Sequence, residues 1–355
     1  MYLRRMRPGS WGCRRSRPPC AFYNEGVNFD LTEMQRAWRE KAARLGRDVA
    51  GDPAAATVVA GAARVGLLDP AADLLATTVA AEALAAESPS AGLIYALQSG
   101  TALAIAGHHQ GSAGLSSLLD SLFRGEAVVA VGLTSDDAPV ESGGVLSGRS
   151  PWVAPLTARG VAVLGVRDPA SRVAYAVSLE ASGVEVEEVH TAGLAGVVCG
   201  HLTLSAAAGQ PIGPTQPIMT RIRILMAAAG LGIGRRALRE ALDTARKAHT
   251  AAAGEQTVQG LLADAATELD AAMVMTWKAA TAATLSLADA SLAKIMATVA
   301  AQRAVERATQ VIGVDSFQRG HIIERLAQDV RALELFAGRT EALRAAVAEE
   351  ILPGG

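Results

Sequence analysis

Short β-branched segments occupy the middle of this sequence, and long Ala- and Leu-rich stretches lie on both sides of them. β-Branched residues favour strands, whereas Ala and Leu favour helices. Between residues 126 and 205 the segments are separated by Gly, Pro, Asp and Ser, which is typical of a small antiparallel β domain. The predicted strands are 127–133, 160–166, 173–179, 184–189 and 201–204, and the prolines of 209–217 predict a linker that closes the domain.

Helical patterns cover most of the remaining chain. Thr32 and Gln35 have the spacing of a capping box, which predicts that a helix begins there. Further helices are predicted at 53–65, 71–86, 91–108 and 112–123, and after the strands at 220–250, 255–284, 287–311, 322–336 and 340–351. Long helices with short connections favour a bundle. The expected fold is mainly α with a small β domain: an N-terminal helical domain (27–125), a middle antiparallel β domain (126–212) and a C-terminal four-helix-type bundle (213–355).

Residues 1–26 form a separate segment that is rich in Arg and Pro and shows no apolar period. The interpretation we prefer is a disordered tail, or an extension from a start codon assigned too far upstream. The alternative is a basic targeting or binding arm. A secretory signal needs an apolar central region, which this segment lacks.

The charge and composition of the chain narrow the classes of function. The formal net charge is −2, which argues against nucleic acid or a membrane surface as a partner. No uninterrupted apolar run approaches the roughly 20 residues of a membrane span. The 3 cysteines form no CxxC pair, and the histidines lack the spacing of metal ligands, so we expect no metal site. A cytoplasmic protein is the expectation.

One glycine-rich stretch imitates a dinucleotide-binding fingerprint. Residues 230–234 read Gly-Leu-Gly-Ile-Gly, but Arg235 stands near the place of the final spaced glycine, and no strand is predicted directly before them. Glycines in a helix also permit a neighbouring helix to approach closely. We therefore interpret them as helix-packing residues.

Three C-terminal segments resemble the acyl-CoA dehydrogenase family. Gln310–Gly313 is similar to the start of that family's QxxGGxG motif, Ile323–Asp329 to its ERLxRD motif, and Leu335–Glu341 to the segment that carries the catalytic Glu. Upstream, Arg223 matches an Arg near the start of the first bundle helix, and Trp152 matches the Trp of a W-I-T segment. The β segment Val131–Thr134 and the opening Val27–Gln35 also fit, so the resemblance extends from residue 27 to residue 355.

The resemblance implies the α,β-dehydrogenation of an acyl-CoA thioester. In the family a carboxylate removes the α-proton while a hydride passes from the β-carbon to FAD. It further implies that Thr134, Trp152, Gln310 and Gly313 contact the cofactor and that Arg223 binds substrate.

The catalytic base is the sharpest departure from the family. The usual Glu falls at Ala337, and the alternative position used by some members falls at Ile222, so both are vacant. The other carboxylates nearest in sequence are Glu240, Asp243, Glu334 and Glu341. Nothing places Glu240 and Asp243, which lie several turns along the helix from Arg223, at a thioester, and Glu341 matches a family position that is not the base.

The expected flavin contacts are also reduced. The family's RxxFG segment falls at 248–252, where the chain reads Ala-His-Thr-Ala-Ala and has no Arg. The second and third motif glycines are replaced within Val314–Ser316, the Thr after the catalytic Glu-Gly is Arg339, and the Thr of W-I-T is Ala154. Whether FAD is bound by this chain or shared with its partner is left open.

Three hypotheses follow from the resemblance. The first is the base-lacking subunit of a heteromeric acyl-CoA dehydrogenase, such as the heterotetramers of actinobacterial steroid degradation, with a second acyl-CoA dehydrogenase subunit and an acyl-CoA as partners and no activity alone. The second in rank is a flavin-free scaffold or acyl-CoA-binding protein. The third is a homomeric enzyme with an unrecognised base.

Overall fold

The computed structural model describes residues 30–108, 113–133, 138–167, 172–247 and 255–352. The tail 1–26 lies outside these residues. In the described N-terminal part, five helices precede the strands: α1 (Glu33–Val49), α2 (Ala55–Arg64), α3 (Leu74–Glu87), α4 (Pro89–Ala106) and α5 (Ala113–Phe123). The capping box at the start of α1 is confirmed, because the Gln35 N–H donates to Thr32 Oγ1 at 3.2 Å and the Thr32 N–H donates to Gln35 Oε1 at 3.0 Å.

Two four-stranded sheets form the β region. They contain β1 (Val128–Gly132), β2 (Val140–Ser142), β3 (Val145–Arg149), β4 (Gly160–Gly165), β5 (Val173–Ser178), β6 (Val184–Val189), β7 (Cys199–Ala208) and β8 (Gln210–Pro214). Their orders are β1-β4-β5-β8 and β2-β3-β7-β6. The described strand pairs are antiparallel except β1 with β4, so the prediction of a wholly antiparallel domain is wrong at that pair.

The predicted linker 209–217 is wrong. Residues 210–214 form β8, an edge strand, and the chain then enters the next helix directly at Thr215. Pro211 and Pro214 are compatible with a strand here because an edge strand pairs on one side only. Pro217 is compatible with the first turn of a helix, where backbone N–H groups have no intrahelical partner.

The described residues of the C-terminal part form α6 (Thr215–Lys247), α7 (Gln256–Thr281), α8 (Leu287–Ile312), a 3₁₀ turn (Gly313–Phe317), α9 (Ile322–Leu335) and α10 (Thr340–Ile351). The predicted bounds of α10 are confirmed, and α8 begins at Leu287 as predicted. The α6 helix begins five residues earlier than Thr220. The described structure shows the expected order of helices, sheets and helical bundle, while the predicted domain boundaries at 126 and 213 stay a prediction.

Glycines hold α6 close to its neighbours. A Cβ atom on Gly232 would lie 2.2 Å from the carbonyl oxygen of Glu82 in α3, and one on Gly234 would lie 2.5 Å from Leu269 Cδ2 in α7. The interpretation of residues 230–234 as packing glycines is therefore confirmed. By length and composition α6 is also apolar enough to cross a membrane, but 89% of its most apolar window is buried inside the fold, as in a core helix.

Candidate functional site

The turn between α9 and α10 has an unusual backbone conformation. Ala337 has φ of +55° and Gly338 has φ of +107°. A residue with a Cβ atom rarely adopts positive φ, and such strain persists only where the surroundings enforce it. Two buried cations lie directly beneath this turn.

The first of these cations is Arg223, on α6. Its Nε donates to the carbonyl oxygen of Ala337 at 3.0 Å, and its Nη1 donates to Ser291 Oγ on α8 at 2.9 Å. Only 6% of the residue is exposed. Burial lowers the pKa of Arg223 to about 10, so the guanidinium is charged at neutral pH.

The second cation is Lys294, on α8, which has no exposed surface. Its Nζ donates to the carbonyl oxygens of Glu334 at 3.1 Å and Gly338 at 2.7 Å, and also to that of Phe336. An ammonium has three N–H donors, so these acceptors satisfy all of them. Burial and the nearby Arg223 lower the pKa of Lys294 to about 7, while Glu334 acts in the opposite direction.

The backbone of the turn is oriented by these contacts. The two cations bind the carbonyl groups of residues 334, 336, 337 and 338. In a trans peptide the C=O and N–H groups point in opposite directions. The N–H groups of Ala337 and Gly338 are therefore directed away from the cations, and among the described residues neither meets an acceptor. The turn thus presents two adjacent hydrogen-bond donors.

Glu334 is the carboxylate that acts electrostatically on Lys294. Its oxygens accept hydrogen bonds from Gln302 Nε2 at 2.7 Å and Thr340 Oγ1 at 2.8 Å. Burial raises the pKa of Glu334, but those two hydrogen bonds and nearby cations outweigh it and the pKa is lowered. Glu334 is therefore ionised, and both of its carboxylate oxygens already accept hydrogen bonds.

The two positions where the resemblance places a base hold apolar side chains. Ala337 lies in the turn itself. Ile222 is fully buried against α4, where a Cβ atom on Gly100 would lie 3.0 Å from Ile222 Cγ1. Arg223, Ala337 and Ile222 are thus brought to one end of α6.

The other carboxylates considered from sequence have different surroundings. Glu240 pairs with Arg236 at 2.8 Å, and Asp243 approaches Arg246 at 3.6 Å, both along the outer part of α6. Glu341 is exposed at the start of α10. The described contacts give none of these three a position at the turn.

The predicted cofactor residues lie in two places. Trp152 is half exposed, and its ring contacts His201 edge-on with centroids 5.3 Å apart. Gln310 is exposed near the end of α8, and Gly313 caps that helix with φ of +75°. A Cβ atom on Gly313 would meet nothing within 4 Å. Thr134 and the segment 248–252 lie outside the described residues.

The 3₁₀ turn after Gly313 carries large exposed apolar side chains. Val314 is 82% exposed and Phe317 is 75% exposed. A groove of about 490 Å³ lies beside the start of α6, and its lining residues include Arg172, Gln216, Met219 and Leu287. Met219 lies one helical turn before Arg223.

Sequence reasoning missed Lys294 and Ser291. A signal was present, because Ser291, Lys294 and Thr298 form a polar stripe at helical spacing along an Ala-rich helix, and all three are buried. The chain has few lysines, and one on the inner face of a helix needs buried acceptors. Only the structure shows that those acceptors are the carbonyl groups of the turn.

Comparisons with known proteins show which proteins this chain is similar to. The family described as "Acyl-CoA dehydrogenase, C-terminal domain" matches residues 215–352. The 3-sulfinopropanoyl-CoA desulfinase of Paraburkholderia xenovorans is 34% identical over 135 residues, which are 37% of this chain and 35% of the relative. The matched region therefore spans about a third of that relative's length.

Solved structures extend the likeness to nearly the whole chain. A glutaryl-CoA dehydrogenase from Mycobacterium smegmatis in complex with FADH2 has a TM-score of 0.80 and 16% identity, covering 91% of this chain and 95% of that one. A variant of the Tcur3481-Tcur3483 steroid ACAD has a TM-score of 0.77 and 23% identity, covering 91% and 97%. The chain has the acyl-CoA dehydrogenase fold, and its residues 215–352 match the C-terminal domain of the acyl-CoA dehydrogenase family.

Proposed function

We propose that this chain is a subunit of a flavin-dependent acyl-CoA dehydrogenase, that it lacks the catalytic base, and that a second subunit of the same family supplies that base. The observation that carries the proposal is the turn 334–338. Two buried cations hold it in a defined shape, yet its central residue is Ala337. A turn that keeps this shape without a catalytic carboxylate fits a subunit that works together with a base-bearing chain.

The proposed reaction divides between the two chains. The partner's carboxylate would take the α-proton of the acyl thioester, and FAD would supply the acceptor for the β-hydride, so that a 2-enoyl thioester would form. As the α-proton leaves, negative charge develops on the thioester oxygen. The two N–H donors of Ala337 and Gly338 are suited to stabilise this charge because they are fixed before the reaction begins.

FAD is the cofactor we propose, because it supplies the hydride acceptor that the reaction needs. The half-exposed Trp152 fits a wall beside the isoalloxazine ring, and the open Gly313 turn fits the approach of a dinucleotide. The exposed Val314 and Phe317 favour a boundary with a neighbouring subunit, where FAD is shared or held by the partner.

Three finer statements belong to the same proposal. The assembly is a heterotetramer, the acyl group is a steroid-derived one, and the complex works in the cytoplasm. The solved steroid ACAD of the same fold, itself heteromeric, supports the first two. Arg223 as a direct substrate ligand is the less favoured role, since its contacts commit Nε and Nη1 to the turn and α8.

Two alternatives compete with this proposal. A flavin-free scaffold or acyl-CoA-binding protein would keep the fold without the chemistry. A homomeric enzyme would need a base that neither Ala337 nor Ile222 provides. The turn argues against the scaffold, because a scaffold has no need of two fixed N–H donors.

The test is to purify the chain alone and co-expressed with an acyl-CoA dehydrogenase encoded beside it. Sedimentation and the flavin absorbance per complex are then measured. We expect a mixed assembly that contains FAD, and no FAD in the chain alone. Binding of FAD by the lone chain, together with turnover, would establish the homomeric enzyme. Absence of both FAD and a complex would favour the scaffold.

A further inference from the structure

Lys294 is a buried titratable residue that the proposed reaction does not yet use. It lies on α8 between Ser291 and Thr298, three residues after the first and four before the second, and its ammonium ends among the carbonyl groups of the turn. A lysine with no exposed surface is uncommon unless its charge has partners. Here the partners are backbone atoms of the proposed catalytic turn.

Lys294 binds every second carbonyl group of the turn. It binds the carbonyl groups of residues 334, 336 and 338, and Arg223 binds the carbonyl between the last two. The positive φ values of Ala337 and Gly338 require such external support. Removal of the ammonium would leave three buried acceptors without their donor, and the peptides would then be free to rotate.

The orientation of these peptides sets the direction of their N–H groups. Because C=O and N–H oppose each other in a trans peptide, holding the Phe336 carbonyl fixes the N–H of Ala337, and holding the Ala337 carbonyl fixes the N–H of Gly338. Lys294 controls the first of these peptides, and Arg223 controls the second. A donor is useful to a reacting carbonyl only when its direction is fixed.

We propose that Lys294 is a positioning residue for the thioester: by binding the carbonyl groups of the turn it aims the N–H of Ala337 at the thioester oxygen. This inference rests on the proposed function, since it assumes that the thioester lies at the turn. Lys294 itself does not contact the substrate.

The test compares two ligands that differ only in the thioester carbonyl. Butyryl-CoA has this oxygen, and the thioether S-butyl-CoA lacks it. Dissociation constants for both are measured on the flavin-containing complex, with the partner's catalytic Glu replaced by Gln so that no turnover occurs. The ratio of the two constants isolates the contribution of the carbonyl, because the CoA portion is identical.

The variants are Lys294→Met, which removes the ammonium and keeps most of the side-chain volume, and the control Lys278→Met. Lys278 is an exposed lysine in the same bundle that pairs with Asp289 at 2.9 Å. We expect the native complex and the control to bind butyryl-CoA about tenfold more tightly than the thioether, as for one or two oriented hydrogen bonds. In K294M the preference should fall to about twofold or less, with S-butyl-CoA affinity retained.

A preference unchanged in K294M would overturn the inference and leave the proposed function standing. Equal loss of affinity for both ligands in K294M would assign Lys294 a purely structural role and would also overturn it. No preference in the native complex would remove the thioester oxygen from the turn and would overturn the inference, whereas the proposed function is decided by co-purification and flavin content.

A second measurement needs no variant and covers the case in which K294M does not fold. The charged groups that shift the pKa of Lys294 are Arg223 on α6 and Glu334 on α9, and that pKa is about 7. Between pH 6 and pH 9 the ammonium loses its proton and one of its three donors. We expect the carbonyl preference of the native complex to fall across this range. A preference that stays constant would contradict the inference.

Discussion

For Arg223 the sequence match and the hydrogen bonds in the fold indicate different roles. Its match to a family Arg suggested a substrate ligand, whereas its hydrogen bonds lead to Ala337 O and Ser291 Oγ. The guanidinium is therefore placed to support the turn from below. Its neighbour along the helix, Arg221, is only partly buried and donates to Pro217 O at 3.3 Å.

Replacement of Arg223 by Met should destabilise the protein by about 1–3 kcal/mol, because the buried Ala337 carbonyl loses its donor. The free energy of unfolding in urea measures this. Arg221→Met, which removes a longer and more exposed contact, is the matched control and should change the free energy by less than about 0.5 kcal/mol. Equal effects of the two substitutions would show that the turn does not depend on Arg223.

Lys294 makes stability depend on pH in a direction that follows from its lowered pKa. The folded protein releases this proton near pH 7, whereas the unfolded chain keeps it until near the ordinary value of 10.5. Between these values the unfolded state binds more protons, so stability rises with pH. The free energy of unfolding of the native protein, minus that of Lys294→Met, should therefore increase from pH 7 to pH 9. A difference that is flat or decreases would show that the pKa of Lys294 is not lowered in the folded state.

At the residue scale, motif matches in the sequence predict the base positions Ala337 and Ile222 and the cofactor contact Trp152, and these assignments stay predictions. The sequence did not locate Lys294, since the acceptors of this residue are backbone carbonyls more than 40 positions later for two of its three contacts. The positive φ of Ala337 could not be predicted either, because the identity of a non-glycine residue does not indicate such a backbone conformation.

At the scale of single elements, the α1 cap is a local signal that the fold uses as the sequence predicts. Thr32→Ala removes the side-chain acceptor of the Gln35 N–H and should destabilise the protein by about 0.5–2 kcal/mol. Thermal unfolding measures the effect. Thr267→Ala, at an exposed position inside α7, is the control and should have little effect. No loss of stability on removing Thr32 would mean that α1 is fixed by its packing alone.

Helix packing gives a second prediction at this scale. Gly232→Ala would drive a Cβ atom into the backbone of α3, with Glu82 O only 2.2 Å away, so we expect it to destabilise the protein by several kcal/mol or prevent folding. Gly260→Ala on exposed α7 would meet nothing within 4 Å and should stabilise by up to about 1 kcal/mol. Unfolding midpoints of the two variants should move in opposite directions. A neutral G232A would contradict the close approach of α3 and α6.

Element prediction succeeded where the pattern was local and failed where pairing decided the structure. The helices after residue 255 have long, uniform patterns, and α10 begins and ends as predicted. Strand β8 was missed because its prolines indicate a linker, although an edge strand accommodates them. The parallel β1–β4 pair could not be predicted, since the direction of a neighbour is not encoded within either strand.

At the scale of the whole molecule, the fold joins two sheets to a bundle whose central helix α6 carries Arg223 at one end and Arg236 further along. Arg236 pairs with Glu87 at 3.2 Å, and Arg239 pairs with the same carboxylate at 3.2 Å, which ties α6 to α3. The Arg223 end of α6 is also part of the core, because Ile222 and Ile224 are fully buried there. In the proposed division of labour, the partner brings its carboxylate to the turn that Arg223 supports.

The most direct test of this division of labour is anaerobic bleaching of the flavin by a panel of acyl-CoA thioesters that includes steroid-derived ones. The account predicts bleaching by the co-purified complex with at least one thioester, its loss when the partner's catalytic Glu becomes Gln, and none with the lone chain supplied with FAD. Bleaching by the lone chain, or bleaching that survives in the complex with the Gln variant of the partner, would contradict the claim that the base comes from the second subunit.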